Sequence, residues 1–458
     1  MPLIKAALAR SLHAPKNFIR LMQNTSSHKP PETSPVSYHR KIASGALWVT
    51  VFLLAARMVG AAKEMIVAWR YGVDIKLDAY LFVFNLLNWP ISIWFSVLTV
   101  GLIPLITHAK KDGEKSRIFK GELIAFTIFF GLCFGLASWF ILPAVMEKVG
   151  GKVEQEVLRE AVRISGVMSL LLPLGVLSNL FSVMCMASGS HRNTLFDGLP
   201  ALTIGLSLIV LQEDLDPLVL GTVAGFLVQL LVLFIYMYGK GELVAPRLRF
   251  TSALWKDFRS SMAILLVGQI LTTSTVMVDQ FFAASLGQGS LSELSYSNRL
   301  LSLILSMGAM VISRATLPTL SELSLTGTRR AESLARQWAK WLFLIGMVAV
   351  IVIHAVAPQL VSLMFQRGAF LSENSDQVVG LLRYSSVQIP FYFCNLVLVS
   401  ALASRRRYSV IATAGALNLF FKLVLSYFLV DRMGLSGLVL STAGMYFFSL
   451  MFLFLRTR

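Results

Sequence analysis

Charge is scarce in this 458-residue chain: Asp, Glu, Lys and Arg make up 14% of it, against about 25% in soluble domains. Acidic residues are scarcer still, 24 against 41 Lys and Arg, for a net charge of +17. In a soluble protein that excess would suggest nucleic acid. Here much of it lies in connections between apolar segments, where positive charge sets topology, so no nucleic-acid partner is expected. Only three cysteines occur, Cys133, Cys185 and Cys394, all inside apolar segments and without metal-ligand spacing, so neither disulfides nor a metal site are implied. The six histidines form no HExxH pair, and His354, alone in an apolar run, reads as packed or interfacial. A Walker phosphate loop is missing, which argues against ATP as the direct energy source. No cofactor and no covalent chemistry are implied, so the chain is not expected to be an enzyme. What is abundant is hydrocarbon: 56% of residues are hydrophobic and mean hydropathy is +0.70. The expected class is an all-α polytopic membrane protein.

Residues 1–40 stand apart. LIKAALARSLHAPKNFIRLM is basic and amphipathic, has no acid before Glu32, and lacks the continuous apolar core of a signal peptide. It reads as a cytoplasmic helix lying on anionic inner-leaflet lipids, with a transit peptide or a misassigned start as lesser readings; KPPETSPVS then reads as a linker. About twelve transmembrane helices follow, at roughly 44–70, 78–107, 119–143, 161–187, 193–212, 217–239, 253–286, 291–322, 336–365, 377–403, 408–430 and 434–455. With both termini in the cytoplasm, alternate connections hold clusters such as Lys110, Lys111 and Lys115, or Arg405, Arg406 and Arg407, whereas 213–216 and 287–293 contain no Lys or Arg. That alternation supports the count.

The two halves look related. Gly101-Leu-Ile-Pro-Leu-Ile ends the second expected span and Ala315-Thr-Leu-Pro-Thr-Leu the eighth; Asn179-Leu-Phe-Ser-Val-Met-Cys-Met-Ala-Ser closes the fourth and Asn395-Leu-Val-Leu-Val-Ser-Ala-Leu-Ala-Ser the tenth. An even number of spans per repeat inserts both halves the same way up. The expectation is two six-helix bundles, 41–240 and 241–458, related by a pseudo-twofold axis along the membrane normal, with a substrate site between them. Aligning Pro104 with Pro318 sets Asn85 opposite Arg299, an amide in one half against a cation in the other; drift between old duplicates would give the same asymmetry.

The run Ala55 to Tyr71 is the most unusual stretch. It is apolar enough to enter a membrane, yet carries Arg57, Lys63 and Glu64. One arginine at mid-membrane costs about 2.5–3.5 kcal/mol on insertion scales and usually faces a cavity or partner. Either Glu64 and another acid neutralise the cations for packing, or they form a binding surface for an anionic substrate; the second reading is preferred. Asp78 stands where a helix N-cap would, Arg367 with Gly368 reads as shaping an outer turn, and Arg314 could snorkel to water.

Arg57-Met-Val-Gly, Lys63-Glu64, Leu77-Asp-Ala-Tyr, Ser295-Tyr-Ser-Asn-Arg-Leu-Leu, Leu317-Pro-Thr-Leu-Ser and above all Phe365-Gln-Arg-Gly-Ala-Phe resemble the MurJ (MviN) lipid II flippase family, over residues 41–458. The resemblance implies two bundles, alternating access, and a central cavity in which Arg57, Lys63 and Arg299 hold the diphosphate of a polyprenyl-linked saccharide. Lys63 stands where the family commonly has arginine, which keeps the charge but loses bidentate geometry. A further cavity arginine is replaced by the region Asn88-Trp-Pro-Ile-Ser, and fourteen family spans compare with twelve expected here; both departures turn the expectation from lipid II itself toward a related lipid-linked glycan. In sodium-binding members of the resembling family, a carboxylate on the seventh span and an Asn-x-x-x-Asp pair on the eleventh hold the ion. Asp279 and Asn418 fit, but Lys422 stands in place of the second acid. An internal Asp279–Lys422 ion pair is therefore expected, the alternative being that Lys422 snorkels outward.

The resulting expectation is a monomeric flippase of the bacterial inner membrane, whose partner is a polyprenyl-diphosphate-linked glycan. A cation-coupled multidrug exporter would want acidic cavity residues. A non-transporting scaffold for envelope-glycan enzymes would make the intramembrane charges dispensable.

Overall fold

Several helix breaks of this chain fall at glycines of positive φ, among them Gly72, Gly189, Gly368 and Gly434, and two fall just before a proline, which lacks the N–H that bonds four residues back. The computed structural model describes residues 55–109, 113–149, 154–190, 193–212, 215–326, 328–405 and 407–457; the expected arm and linker at 1–40, and the start of the first expected span, lie outside them, as does the side chain of Arg314. Among the described residues there is no strand. Helix α1 occupies 55–71. It is followed by α2 (Ile75–Ala109), α3 (Gly113–Val149), α4 (Gln155–Met168), α5 (Leu171–Ala187), the one-turn α6 (Asn193–Phe196), α7 (Leu199–Val210) and α8 (Pro217–Gly239). After an extended linker come α9 (Leu254–Ala284), α10 (Ser290–Thr326), α11 (Thr328–Phe365), α12 (Ser372–Ser386), α13 (Ile389–Ser404) and α14 (Tyr408–Arg456).

Among the described residues, eight helices are long and apolar enough to cross a membrane, or nine if α4 and α5, bent by 52° at their break, form one span. The difference from twelve has local causes. The first expected span is only partly described, and α10 is rich in Ser and carries Glu293 and Arg299. The eleventh and twelfth expected spans are joined without a loop: α14 folds back at Gly434, whose φ of 56° and ψ of −134° are non-helical. Its two limbs then pack antiparallel, with the Ser426 and Ser441 hydroxyls 2.9 Å apart.

The α4–α5 break precedes Pro173, and the α12–α13 break precedes Pro390. Each proline ring is met by a bare backbone on the preceding long helix. A methyl on Gly135 of α3 would lie 2.9 Å from Pro173 Cδ, and one on Gly346 of α11 would lie 2.5 Å from Pro390 Cα. Side-chain amides recur beside these breaks: Asn179 Nδ2 donates to Ile91 O at 3.0 Å and Asn395 Nδ2 to Tyr446 O at 2.9 Å.

Packing falls into two sets. Helix α2 lies on α4 and α5, α3 on α5, and α7 on α8; α10 lies on α12 and α13, α11 on α13, and α13 on α14. Helix α9 bridges them, resting on α2 and on α14. The cores run through Val97, Leu98 and Leu102 on α2, and Val397, Leu398 and Leu402 on α13, all fully buried. Phe129, Leu136 and Phe140 on α3 and Ile345, Ile351 and Val352 on α11 face outward uncovered. Apolar surface on that scale needs lipid to cover it, and the chain is a multi-pass membrane protein.

Candidate functional site

Arg57 and Glu64 are seven residues apart on α1, and Arg299 and Ser306 are seven apart on α10. Two turns of helix bring such pairs onto one face, so two antiparallel helices can meet at both points. They do. Arg57 donates to Ser306 Oγ, and Arg299 Nε lies 3.0 Å from Glu64 Oε1. Lys63 Nζ lies 2.6 Å from the same carboxylate oxygen. Three cations and one carboxylate thus lie along the α1–α10 contact, and α1 is in turn tied to the end of α7 in the first set, where Arg70 donates to Leu211 O at 2.8 Å. Lys63 and Glu64 are nearly covered, at 14% and 12% side-chain exposure, whereas Arg299 keeps 45%. An arginine held by one oxygen and open on its other side retains N–H groups for an anionic ligand.

Asn85 lies on α2 and donates through Nδ2 to Gln280 Oε1 on α9 at 2.8 Å. The position opposite it in the repeat, Arg299 on α10, reaches Glu64 on α1. Each contact crosses between the sets, and the helices exchange as a twofold operation would exchange them: second with eighth expected span, seventh with first. One contact is charged and the other is amide to amide. Beside the neutral one, Trp89 Nε1 donates to Thr273 Oγ1 at 2.9 Å, in the region where the family resemblance leads one to expect an arginine.

Asp279 on α9 and Lys422 on the first limb of α14 lie 2.5 Å apart, Nζ to Oδ1. The lysine points inward, with 1% of its side chain exposed, and does not snorkel. Its ammonium also donates to Leu438 O at 3.1 Å, Ser441 Oγ at 2.9 Å and Thr442 Oγ1 at 2.6 Å on the second limb. Asn418 is not drawn in: its Oδ1 is buried without a hydrogen-bond partner. Gln280, Ser306, Ser441 and Thr442 were not singled out from the sequence. Polar residues inside apolar helices flag them as a class, but nothing local names their partners.

At the end that the charge distribution assigns to the outside, the two sets are tied together. Asp78 does not cap its own helix; Asp74 does, accepting from Lys76 N at 2.7 Å. The Asp78 carboxylate reaches across to the start of α10, accepting from Gly289 N at 2.5 Å, Ser292 N at 2.7 Å and the Ser292 hydroxyl. Free N–H groups and the positive end of the helix dipole favour an anion there. Tyr296 on α10 donates to Gly72 O at 2.8 Å, and Ala369 N donates to Trp69 O at 2.9 Å. Gly368 makes the turn at a φ of 58° so close to α1 that a methyl would lie 2.3 Å from Trp69 O. Arg367 folds back onto Leu363 O at 3.0 Å. The hexapeptide 365–370 is thus a docked turn between the sets.

Comparison with known proteins places this architecture. The family described as lipid II flippase MurJ matches residues 67–458, which includes Asn85, Asp279, Arg299, Asn418 and Lys422, while Arg57, Lys63 and Glu64 precede the matched stretch. The probable lipid II flippase MurJ of Vibrio cholerae serotype O1 is 24% identical over 456 residues, covering 92% of this chain and 83% of its own length. Among solved structures, a lipid II flippase MurJ in an inward closed conformation overlays with a TM-score of 0.78 at 16% identity, over 90% of this chain and 87% of that one. An inward-facing multidrug resistance MATE family transporter of the MOP superfamily gives 0.74 at 14% identity, over 89% and 97%. These likenesses establish a shared fold, and the sequence match over most of the chain establishes kinship: this chain belongs to the MurJ family of lipid II flippases.

Proposed function

We propose that the protein is a flippase of the bacterial inner membrane that carries a polyprenyl-diphosphate-linked saccharide outward by alternating access between two six-helix bundles, 41–240 and 241–458. The observation that carries this reading is the row of cations along the α1–α10 contact, Lys63 and Arg299 on Glu64 and Arg57 on Ser306 two turns away. In the resting arrangement Glu64 occupies the place of a ligand anion. A diphosphate entering from the cytoplasm would compete for Lys63 and Arg299, and each charge-assisted hydrogen bond it gains is worth about 1.5–3 kcal/mol. The prenyl tail stays in lipid while the head group crosses. The contacts of Asp78, Tyr296 and the 365–370 turn support an outside-closed state, and the two solved structures named above are in inward closed and inward-facing conformations. No covalent step is needed.

The Asp279–Lys422 pair stands, in this proposal, where a coupling cation would sit, with the tethered ammonium bridging α9 to α14. The decisive experiment is flipping of a lipid-linked diphosphate saccharide in proteoliposomes by Arg57→Ala and Arg299→Ala. Each variant should insert normally and lose at least tenfold in rate, the loss of one charge-assisted bond being about 1.5 kcal/mol or more. Wild-type rates in both would overturn the diphosphate clamp.

A further inference from the structure

Helices α11, α13 and the second limb of α14 line an open-sided slot of about 560 Å³. Its floor is at Cys394 on α13, whose thiol donates to Ala339 O on α11 at 3.0 Å. Its walls are residues 339–344 of α11 and 447–455 of α14. Both walls pack on α13.

The slot is blind. Toward the bilayer middle it is closed by Gly346 against Pro390 and by the ring of Phe391, centred 5.9 Å from Phe343 and 5.6 Å from Phe447. At the other end it opens beside Lys340, the one charged residue of its lining, which is exposed. Arg336, one turn before Lys340, has a buried Nε without a partner, and Arg456 ends the opposite wall. No acid lines the slot.

We propose that this slot holds one acyl chain of an anionic phospholipid, with the phosphate at Lys340. Three features select that occupant. Residues 447–455 span about 12 Å at about 1.5 Å per residue, close to the half-thickness, about 15 Å, of a bilayer's hydrocarbon. The lining is apolar apart from Lys340, which suits a hydrocarbon chain ending in an anionic head group. Helix α13 packs against both walls of the slot and against α10, which carries Arg299, so the bound lipid is assigned as distinct from the transported one. The assignment rests on the proposed orientation only in naming the inner leaflet as its source.

The test is native mass spectrometry of the full chain purified in mild detergent and exposed to equal amounts of phosphatidylglycerol and phosphatidylethanolamine. One phosphatidylglycerol should be retained in preference. Lys340→Glu, an exposed change, should reduce that retention about tenfold, as expected for a lost charge-assisted contact, and Leu450→Trp should do the same by filling the slot. Ile235→Trp, on the exposed face of α8, should leave it unchanged. If Leu450→Trp lowers the melting temperature, Lys340→Glu carries the test alone. Equal retention of both lipids by the wild type, unchanged retention in Lys340→Glu, or a second protein chain found against the slot by cross-linking would overturn the proposal. Arg299→Ala should abolish flipping and leave phosphatidylglycerol retention intact, so a failed slot and a failed transport reading give different results.

Discussion

Glu64 is the residue on which the charge balance of the cluster turns, because one carboxylate serves both Lys63 and Arg299. Replacing it with Gln keeps the shape and frees both cations. Binding of a lipid-linked diphosphate, followed by thermal shift, should tighten about tenfold, the effect of roughly 1.4 kcal/mol, while turnover falls because the product is held. Weaker binding in Glu64→Gln would show that the carboxylate supports the ligand rather than competing with it. At the second ion pair the expected sign is loss of stability. Lys422→Met leaves Asp279 buried and unpaired, which costs about 3–5 kcal/mol, and the double change Lys422→Met with Asp279→Asn should recover most of it. A melting temperature unaffected by Lys422→Met would sink that assignment. Charges out of place in apolar segments were legible in the sequence, which is why Arg57, Lys63, Asp279 and Lys422 could be named. The hydroxyls of Ser441 and Thr442 were not, since serine and threonine in helices commonly bond to their own preceding turn, as Ser441 also does with Leu438 O.

Among the elements, the α4–α8 junction and the outer tie illustrate two levels of legibility. The carboxylate of Asp216, just before α8, meets the guanidinium of Arg163 on α4 at 2.6 Å, and those hydrogen bonds hold its acidity below the usual carboxylate range. A lowered folded-state value means its stabilisation is complete above the unfolded pKa of about 3.9 and is lost as pH falls through the folded value. Asp216→Asn should therefore lower stability at neutral pH by at most about 1 kcal/mol, the pair being partly exposed, and the difference from wild type should vanish in acid melts. The outer tie makes a larger demand on backbone. Gly368→Ala forces a left-handed φ on alanine and a clash with Trp69 O, costing about 1–2 kcal/mol or more. Hydrogen exchange should speed at 69–72 and 366–371 and nowhere in the core of α13. That Gly368 makes a turn could be read from Arg-Gly after an apolar span. That the turn seats on α1 could not, because periodicity reports which face of a helix is apolar and not which helix covers it.

For the whole molecule, two short motifs raised the expectation of an even repeat, and a proline break met by a glycine of the preceding long helix occurs in each half of the chain. The expected spans 408–430 and 434–455 are the two limbs of α14 folded at Gly434, so the break was legible there; α10, expected as a span at 291–322, is too polar to count as one by composition because its polar residues face a partner instead of lipid. If two negative charges move outward in each cycle, a potential of 100 mV contributes about 4.6 kcal/mol, at about 2.3 per charge. Collapsing the potential in proteoliposomes should slow flipping, and undiminished flipping without potential or ion gradient would rule that drive out.

The paired contacts Arg299–Glu64 and Asn85–Gln280 give the space between the halves a compass direction within the plane of the membrane. A head group made of a diphosphate and a sugar is itself lopsided, charged at one end and rich in neutral hydroxyls at the other. Lying crosswise, it would offer its phosphates to the arginine wall and its sugar to the amide wall, so each face of the duplicated scaffold would read a different part of one molecule. Changes at Asn85 or Gln280 should then alter which saccharide is accepted while leaving the grip on the diphosphate untouched, and competition assays with phosphate-matched, sugar-varied lipids would separate the two.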